Sequence, residues 1–397
     1  MSKVIIVGAG ASGLVAAIYA SKNNEVIVLE KDTKCAKKIL VSGNGRCNYF
    51  NSDFSINHFN NKDIDSIISK HNQDKILNLF DSIGIVPNIN NGYYYPMSNQ
   101  SISVCEALVK EAIIRGVKII NDCNVIDISY DNNFIIKTNK KDYKADIVIL
   151  SCGSNAYYKD KSIGYDILKK FNHNISPLVP GLVQLVSSNP IKNASGVRIN
   201  CNLSLYENDK LISNSSGEVQ LTDYGISGIC SFNLSSIASK GLYYNKKEII
   251  HINFMPWVDN FIDYMNKRNI KVKNRTISEL FDGIINYKLS NSILDMCDIK
   301  YNDYWDNLND TKKNKLNKMI TDYSMNIIDT KGFKSAQICV GGLKLDEINL
   351  NTMESLKIKN LYITGELLDV DGKCGGYNLG FAFITGMIAG ESINDKN

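Results

Sequence analysis

Val4-Ile5-Ile6-Val7-Gly8-Ala9-Gly10-Ala11-Ser12-Gly13, continued through Leu14 to Ser21 and then Glu25-Val26-Ile27-Val28-Leu29-Glu30, decides the fold. Four apolar residues read as a strand, the glycines as a turn, Leu14 to Ser21 as a helix and Glu25 to Glu30 as a second strand, which makes one βαβ unit. That setting gives Gly8-x-Gly10-x-x-Gly13 its meaning. The first glycine permits a tight turn, the second lets the backbone approach a pyrophosphate, and the third lets helix and sheet pack closely. The helix start offers free N–H groups and the positive end of a dipole. Glu30 stands where an acidic side chain would hold ribose hydroxyls. A dinucleotide site follows, open at this point to NAD or FAD.

Working outward, Cys123 to Leu150 reads as a small antiparallel meander broken at Asp131-Asn132-Asn133 and at Asn139 to Asp142, with Ile147-Val148-Ile149-Leu150 as its last strand. After Pro177 and Pro180, alternation over Val197 to Leu205, Glu218 to Thr222 and Ile249 to Phe254 predicts a β-rich insert. Residues 276 to 327 look helical. Asn360 to Thr364 returns to an apolar strand, Gly365 opens a glycine-rich loop, and Leu379 to Ala389 reads as an apolar helix. The expected class is therefore α/β: a discontinuous Rossmann-like domain over 1–184 and 331–397, an inserted β-rich, barrel-like domain over 185–256, and a helical region or cap over 257–330.

With 397 residues, 44% hydrophobic, 22% charged and a formal charge of +4, the chain reads as an ordinary globular protein. Neither the charge nor any aromatic-basic patch points to nucleic acid or to a membrane. Met1-Ser2-Lys3 runs directly into the first strand, so a cytoplasmic location is expected. Ten cysteines without C-x-x-C spacing predict reduced thiols and no metal site, and the four histidines, His58, His71, His173 and His251, lie outside the glycine motifs.

Three features favour FAD. Ile147 to Leu150 ending in Ser151-Cys152-Gly153 resembles the second nucleotide-proximal turn of flavoproteins with two dinucleotide-binding domains. Leu361 to Glu366 resembles their late strand and its Gly-acid turn. A single GxGxxG leaves no second Rossmann domain for NAD(P)H. Then Ser42-Gly43-Asn44-Gly45-Arg46-Cys47-Asn48, Tyr95-Pro96-Met97-Ser98, Gly217-Glu218 through Gly228, Gly341-Gly342, and Gly365-Glu366 through Gly375-Gly376-Tyr377-Asn378 appear in the order of the BaiN-like, or aminoacetone oxidase-like, flavoproteins. The resemblance spans essentially the whole chain. It implies FAD held by Gly8, Gly10, Ala11, Ser12 and Gly13 with Glu30 on the ribose, Arg46 and Asn48 beside the cofactor, and Val125 at the adenine. Asp369, Asp371, Gly375, Gly376, Tyr377, Asn378 and Leu379 are implied around the ribityl chain and flavin ring. Lys31, Lys38, Gly43, Cys47, Gly153, Gly365 and Glu366 complete the implied set.

The chain departs from that family by carrying Cys152, Cys339 and Cys374 where its members usually carry Thr, by Ile229 in place of Pro, and by Ser154-Asn155 in place of a second glycine. With Cys47, four thiols fall in cofactor-proximal motifs, read either as a redox cluster or as drift among small buried residues, the second being preferred. The resemblance implies a small-molecule oxidoreductase, with NADH or NADPH as a transient donor. Reduction of an activated, enone-like C=C bond is preferred over oxidation of an amine or aminoketone to give peroxide, and over a non-catalytic flavin-binding or RNA-associated role. Candidate catalytic groups are Tyr95, in the run Tyr93-Tyr94-Tyr95, with Tyr224 and Cys339.

Overall fold

The computed structural model describes residues 1–157 and 162–394, and the chain divides into two compact units, Met1–Leu178 with Ile338–Asn397, and Val179–Gln337. The first is built on a seven-stranded sheet. Five of its strands run parallel in the spatial order Leu361–Ile363, Ile147–Leu150, Lys3–Val7, Glu25–Leu29, Lys118–Ile120, and two short antiparallel strands, Glu354–Ser355 and Ile348–Asn349, extend the edge. Ile147–Leu150 thus leaves the meander and pairs with the opening strand, Val4 opposite Ile147 and Val7 opposite Leu150. The reason is composition: all four residues are apolar and buried, which suits a central parallel strand covered on both faces, not a half-exposed meander strand. The meander retains Val125–Asp131, Asn133–Thr138 and Tyr143–Ala145.

From the opening strand the chain steps one way to Glu25–Leu29 and Lys118–Ile120, and later the other way to Ile147–Leu150 and Leu361–Ile363. A topological switch point therefore lies at the carboxyl ends of Lys3–Val7 and Ile147–Leu150, where open α/β sheets form a crevice. The closing helix, Tyr377–Asn394, lies against the opening helix, Ala11–Ala20, at very short range. A Cβ on Gly386 would come within 2.2 Å of the Ser12 carbonyl oxygen, and one on Gly390 within 2.6 Å of that of Ala16. Only glycine admits this approach.

The second unit is a closed antiparallel barrel of six strands, in the order Leu185–Ser187, Gly225–Ser227, Lys210–Leu221, Arg198–Glu207, Glu248–Asn253, Tyr323–Thr330. The last of these lies largely in the stretch that looked helical, yet its burial alternates residue by residue, as a barrel wall requires. The β-rich stretch in turn contains a helix, Ile229–Tyr243, and further helices span Phe261–Lys271, Tyr287–Met296 and Asp310–Thr321. Barrel and helices share one apolar core. Within it Glu248 is buried with neither carboxylate oxygen hydrogen-bonded, and burial, aided by Glu207, pushes its pKa up to about 7. Among the described residues no helix is long and apolar enough to cross a membrane.

Candidate flavin site

Gly8 turns the chain at φ +102°, and a Cβ there would meet the Ser151 carbonyl oxygen at 2.6 Å. At Gly13 a Cβ would stand 2.0 Å from the Gly8 carbonyl oxygen, whereas at Gly10 it would meet nothing within 4 Å. Two glycines are thus required by the protein's own packing, and the one between them faces open space. Gly10 caps the opening helix without a side-chain hydrogen bond, which leaves first-turn N–H groups of Ala11, Ser12 and Gly13 for an anion. Glu30 closes the crevice. Its carboxylate accepts from the N–H of Ala9 at 2.7 Å and of Asp32 at 2.9 Å, while burial raises its pKa against those two bonds. Val125 is buried at the start of the meander, and Lys31 is exposed.

Several implied residues serve the protein itself. Lys38 is ion-paired with Glu366 at 2.7 Å, and the other Glu366 oxygen accepts from the Cys339 N–H at 2.8 Å. A Cβ on Gly153 would stand 4.0 Å from the Lys38 ammonium. Gly365, at φ +65°, packs on Ser12, and its N–H donates to Thr385 in the closing helix at 3.0 Å.

The Ser42–Asn48 loop is a run of left-handed residues, with Gly43, Asn44, Gly45 and Cys47 all at φ between +54° and +80°. Gly43 is forced, since a Cβ would lie 2.8 Å from the Asn48 backbone nitrogen. The Asn48 amide, oriented to satisfy its neighbours, donates to the carbonyls of Phe50 at 3.0 Å and Tyr94 at 3.3 Å. The Arg46 guanidinium lies 4.8 Å over the Tyr95 ring. In the far loop, Gly375 at φ +138° abuts the Tyr93 ring and Gly376 at φ +90° abuts the Phe50 carbonyl, where Cβ atoms would come within 2.8 and 2.5 Å. Asn378 closes the loop by accepting from the Gly372 N–H and donating to its carbonyl. Tyr93 and Tyr95, alternate residues of the strand Tyr93–Pro96, therefore touch the far and near loops in turn.

Asp369 tests the fit to FAD. Its Oδ1 is buried without a hydrogen-bond partner, a cost that a hydroxyl of a bound ligand would remove. With the open face at Gly10 and the uncapped helix start, this residue set fits a polyhydroxylated dinucleotide.

Cys47, Cys152, Cys339 and Cys374 are not joined by disulfides. Burial raises the thiol pKa of Cys47 and Cys339 to about 12, that of Cys152 to about 11, and that of Cys374 likewise upward, so all four stay protonated near neutral pH. Cys339 is buried, and its thiol donates to the Val340 carbonyl at 3.6 Å. Tyr224 belongs to the second unit, where the Lys331 ammonium sits 3.8 Å over its ring.

With this geometry, the sequence matches the family described as HI0933-like protein Rossmann domain over residues 2–392. The chain belongs to that family. A 3-dehydro-bile acid delta(4,6)-reductase of Clostridium scindens is 34% identical over 411 residues, covering 100% of both chains. A ribosomal RNA dihydrouridine synthase of Escherichia coli (strain K12) is 25% identical over 394 residues, 96% of this chain and 94% of that one. The open conformation of a flavocytochrome c3 fumarate reductase is similar with a TM-score of 0.51 at 15% identity over 99% of this chain and 78% of the other, a likeness of fold.

Sequence reasoning missed what holds the far loop of this HI0933-like chain. Asn51 donates to the Gly375 carbonyl at 2.9 Å, the Asn60 N–H to the Asp371 carbonyl at 2.9 Å, and the Asp371 N–H to the Asn60 side chain at 2.9 Å. His58, read as lying outside the motifs, stacks on Tyr377. These pairs are more than 300 residues apart in the chain, and no periodicity announces them.

Proposed function

We propose that this chain is an FAD-dependent oxidoreductase that saturates a C=C bond conjugated to a carbonyl, with electrons drawn from NADH or NADPH. The carrying observation is the cradle at the switch point, walled by Gly8 and Gly13 and open at Gly10, in a chain similar along its full length to a protein named a reductase of such a bond. When bound, FAD would supply two-electron hydride chemistry. The N–H groups at Ala11 to Gly13 bind its pyrophosphate, Glu30 and Val125 its adenosine half, and Asp369 a ribityl hydroxyl. The start of the closing helix, at Tyr377 and Asn378, favours negative charge beside it. Saturation of the bond takes one hydride and one proton. Tyr95, with Tyr93 on the same strand face, is positioned to hold that proton, and the neutral thiols of Cys47 and Cys339 fill space and exclude water.

The test is an absorbance spectrum of the purified protein, then anaerobic addition of NADH or NADPH and of an enone. Bleaching of an oxidised-flavin band by the nicotinamide and its return with the enone supports the reading. Peroxide formation from an aminoketone and oxygen would support the oxidase alternative instead, and absence of flavin after reconstitution would overturn both.

A second reading, with a uracil base of RNA as the enone, has one structural observation in its favour. On the helix Phe261–Lys271, Tyr264 meets the exposed Trp257 edge-on at 5.3 Å, and Lys267 and Lys271 follow on the same face, with Lys273 and Arg275 just beyond. Interleaved rings and cations of this kind bind single-stranded nucleic acid. Retention of labelled RNA that weakens steeply with salt, and is lost in Lys267→Ala/Lys271→Ala, supports it; salt-independent or absent binding rules it out.

A further inference from the structure

Residues 50–60 grip the far loop. Beyond the Asn51 and Asn60 contacts, the His58 carbonyl accepts from the Lys373 N–H at 2.9 Å, and Phe59 bridges antiparallel to Gly372. The grip ends in a side-chain stack. The His58 ring lies on the Tyr377 ring with centroids 4.6 Å apart and planes 19° apart, and its Nε2 is 2.7 Å from Asp53 Oδ2. Tyr377 is the first residue of the closing helix and is buried. The groups facing this pair are few. Asp53 lies on its own segment, its carboxyl held below the usual range first by the hydrogen bond from His58. Lys373 approaches Asp53 from the far loop, and Tyr93 faces Tyr377 from the strand Tyr93–Pro96.

We propose that His58 is a positioning residue for the flavin end of the closing helix: its ring, held by Asp53 against Tyr377, fixes the helix start and the far loop in the arrangement that takes FAD. This rests on the FAD reading above. The stack itself is independent of charge.

The experiment compares FAD-loaded wild-type protein with His58→Phe, which keeps a ring on Tyr377, and His58→Gln, which keeps a polar contact to Asp53 without the ring. FAD affinity is measured by fluorescence and the midpoint potential of the bound flavin by dye equilibration. The expected result is an FAD Kd for His58→Phe within about threefold of wild type. His58→Gln, which loses the ring, should raise the FAD Kd about tenfold and shift the midpoint potential, while His58→Phe keeps the wild-type potential. A His58→Gln protein with the Kd and potential of wild type, or a His58→Phe protein as impaired as His58→Gln, overturns the proposal. A wild-type protein that takes up no FAD overturns the proposed function itself, a different and separable failure.

Discussion

The Gly8 loop and the Gly375 loop are both glycine-rich, both precede a helix, and are held in opposite ways. In the first, contacts are local or with the adjacent strand: Gly13 packs on the Gly8 carbonyl and Gly8 on Ser151. In the second, they come from a segment more than 300 residues earlier, through Phe50, Asn51, His58 and Asn60. The near loop is therefore set by one βαβ unit and the strand beside it, and the far loop by a distant segment of the assembled domain.

That contrast can be broken with single substitutions. Gly13→Ala has the largest expected effect, because its Cβ would lie 2.0 Å from a backbone oxygen that cannot step aside. It should cost more than about 3 kcal/mol and abolish flavin uptake, measured by denaturant unfolding and by flavin content. A control for global stability comes from Glu248 in the other unit. Its pKa, about 7 when folded against an ordinary 4.5, is raised, so its contribution is full below about pH 4.5 and is lost as pH rises through 7. Across that window wild type should lose on the order of 3 kcal/mol that Glu248→Gln does not lose, with flavin affinity equal in the two proteins.

Gly376→Ala combines a left-handed φ of +90° with a 2.5 Å approach to the Phe50 carbonyl. It should cost about 2 kcal/mol and weaken FAD binding while leaving the near loop intact. Asn60→Ala removes one side-chain hydrogen bond to Asp371, so about 1 kcal/mol and a several-fold rise in FAD Kd are expected by calorimetry. Arg46→Ala is the mildest. The side chain is exposed and stacks on Tyr95, so a fall of only about three- to fivefold in flavin retention is expected, and unchanged retention would remove Arg46 from the site.

The same contrast explains what was legible in the sequence. Gly8 to Glu30 could be read because every cause lies within one local unit: apolar runs, glycine positions and a terminal acid. Ile147–Leu150 could be read as a strand but not assigned to its sheet, since pairing partners are not written in a four-residue run. Tyr323–Thr330 was hidden because Tyr-Ser-Met-Asn-Ile-Ile follows a helix without a break and its alternation is short. The pairing of Lys38 with Glu366 and the stacking of His58 on Tyr377 depend on tertiary placement alone.

The glycine contacts of the closing helix also bear on biosynthesis. Gly386 and Gly390 rest on Ser12 and Ala16, and the strand Leu361–Ile363 completes the sheet beside Ile147–Leu150. A nascent chain still lacking these segments can form its first strands but leaves the outer face of the opening helix bare. The sheet and the packing behind the Gly10 helix start are therefore complete only once residues 361–390 have been made.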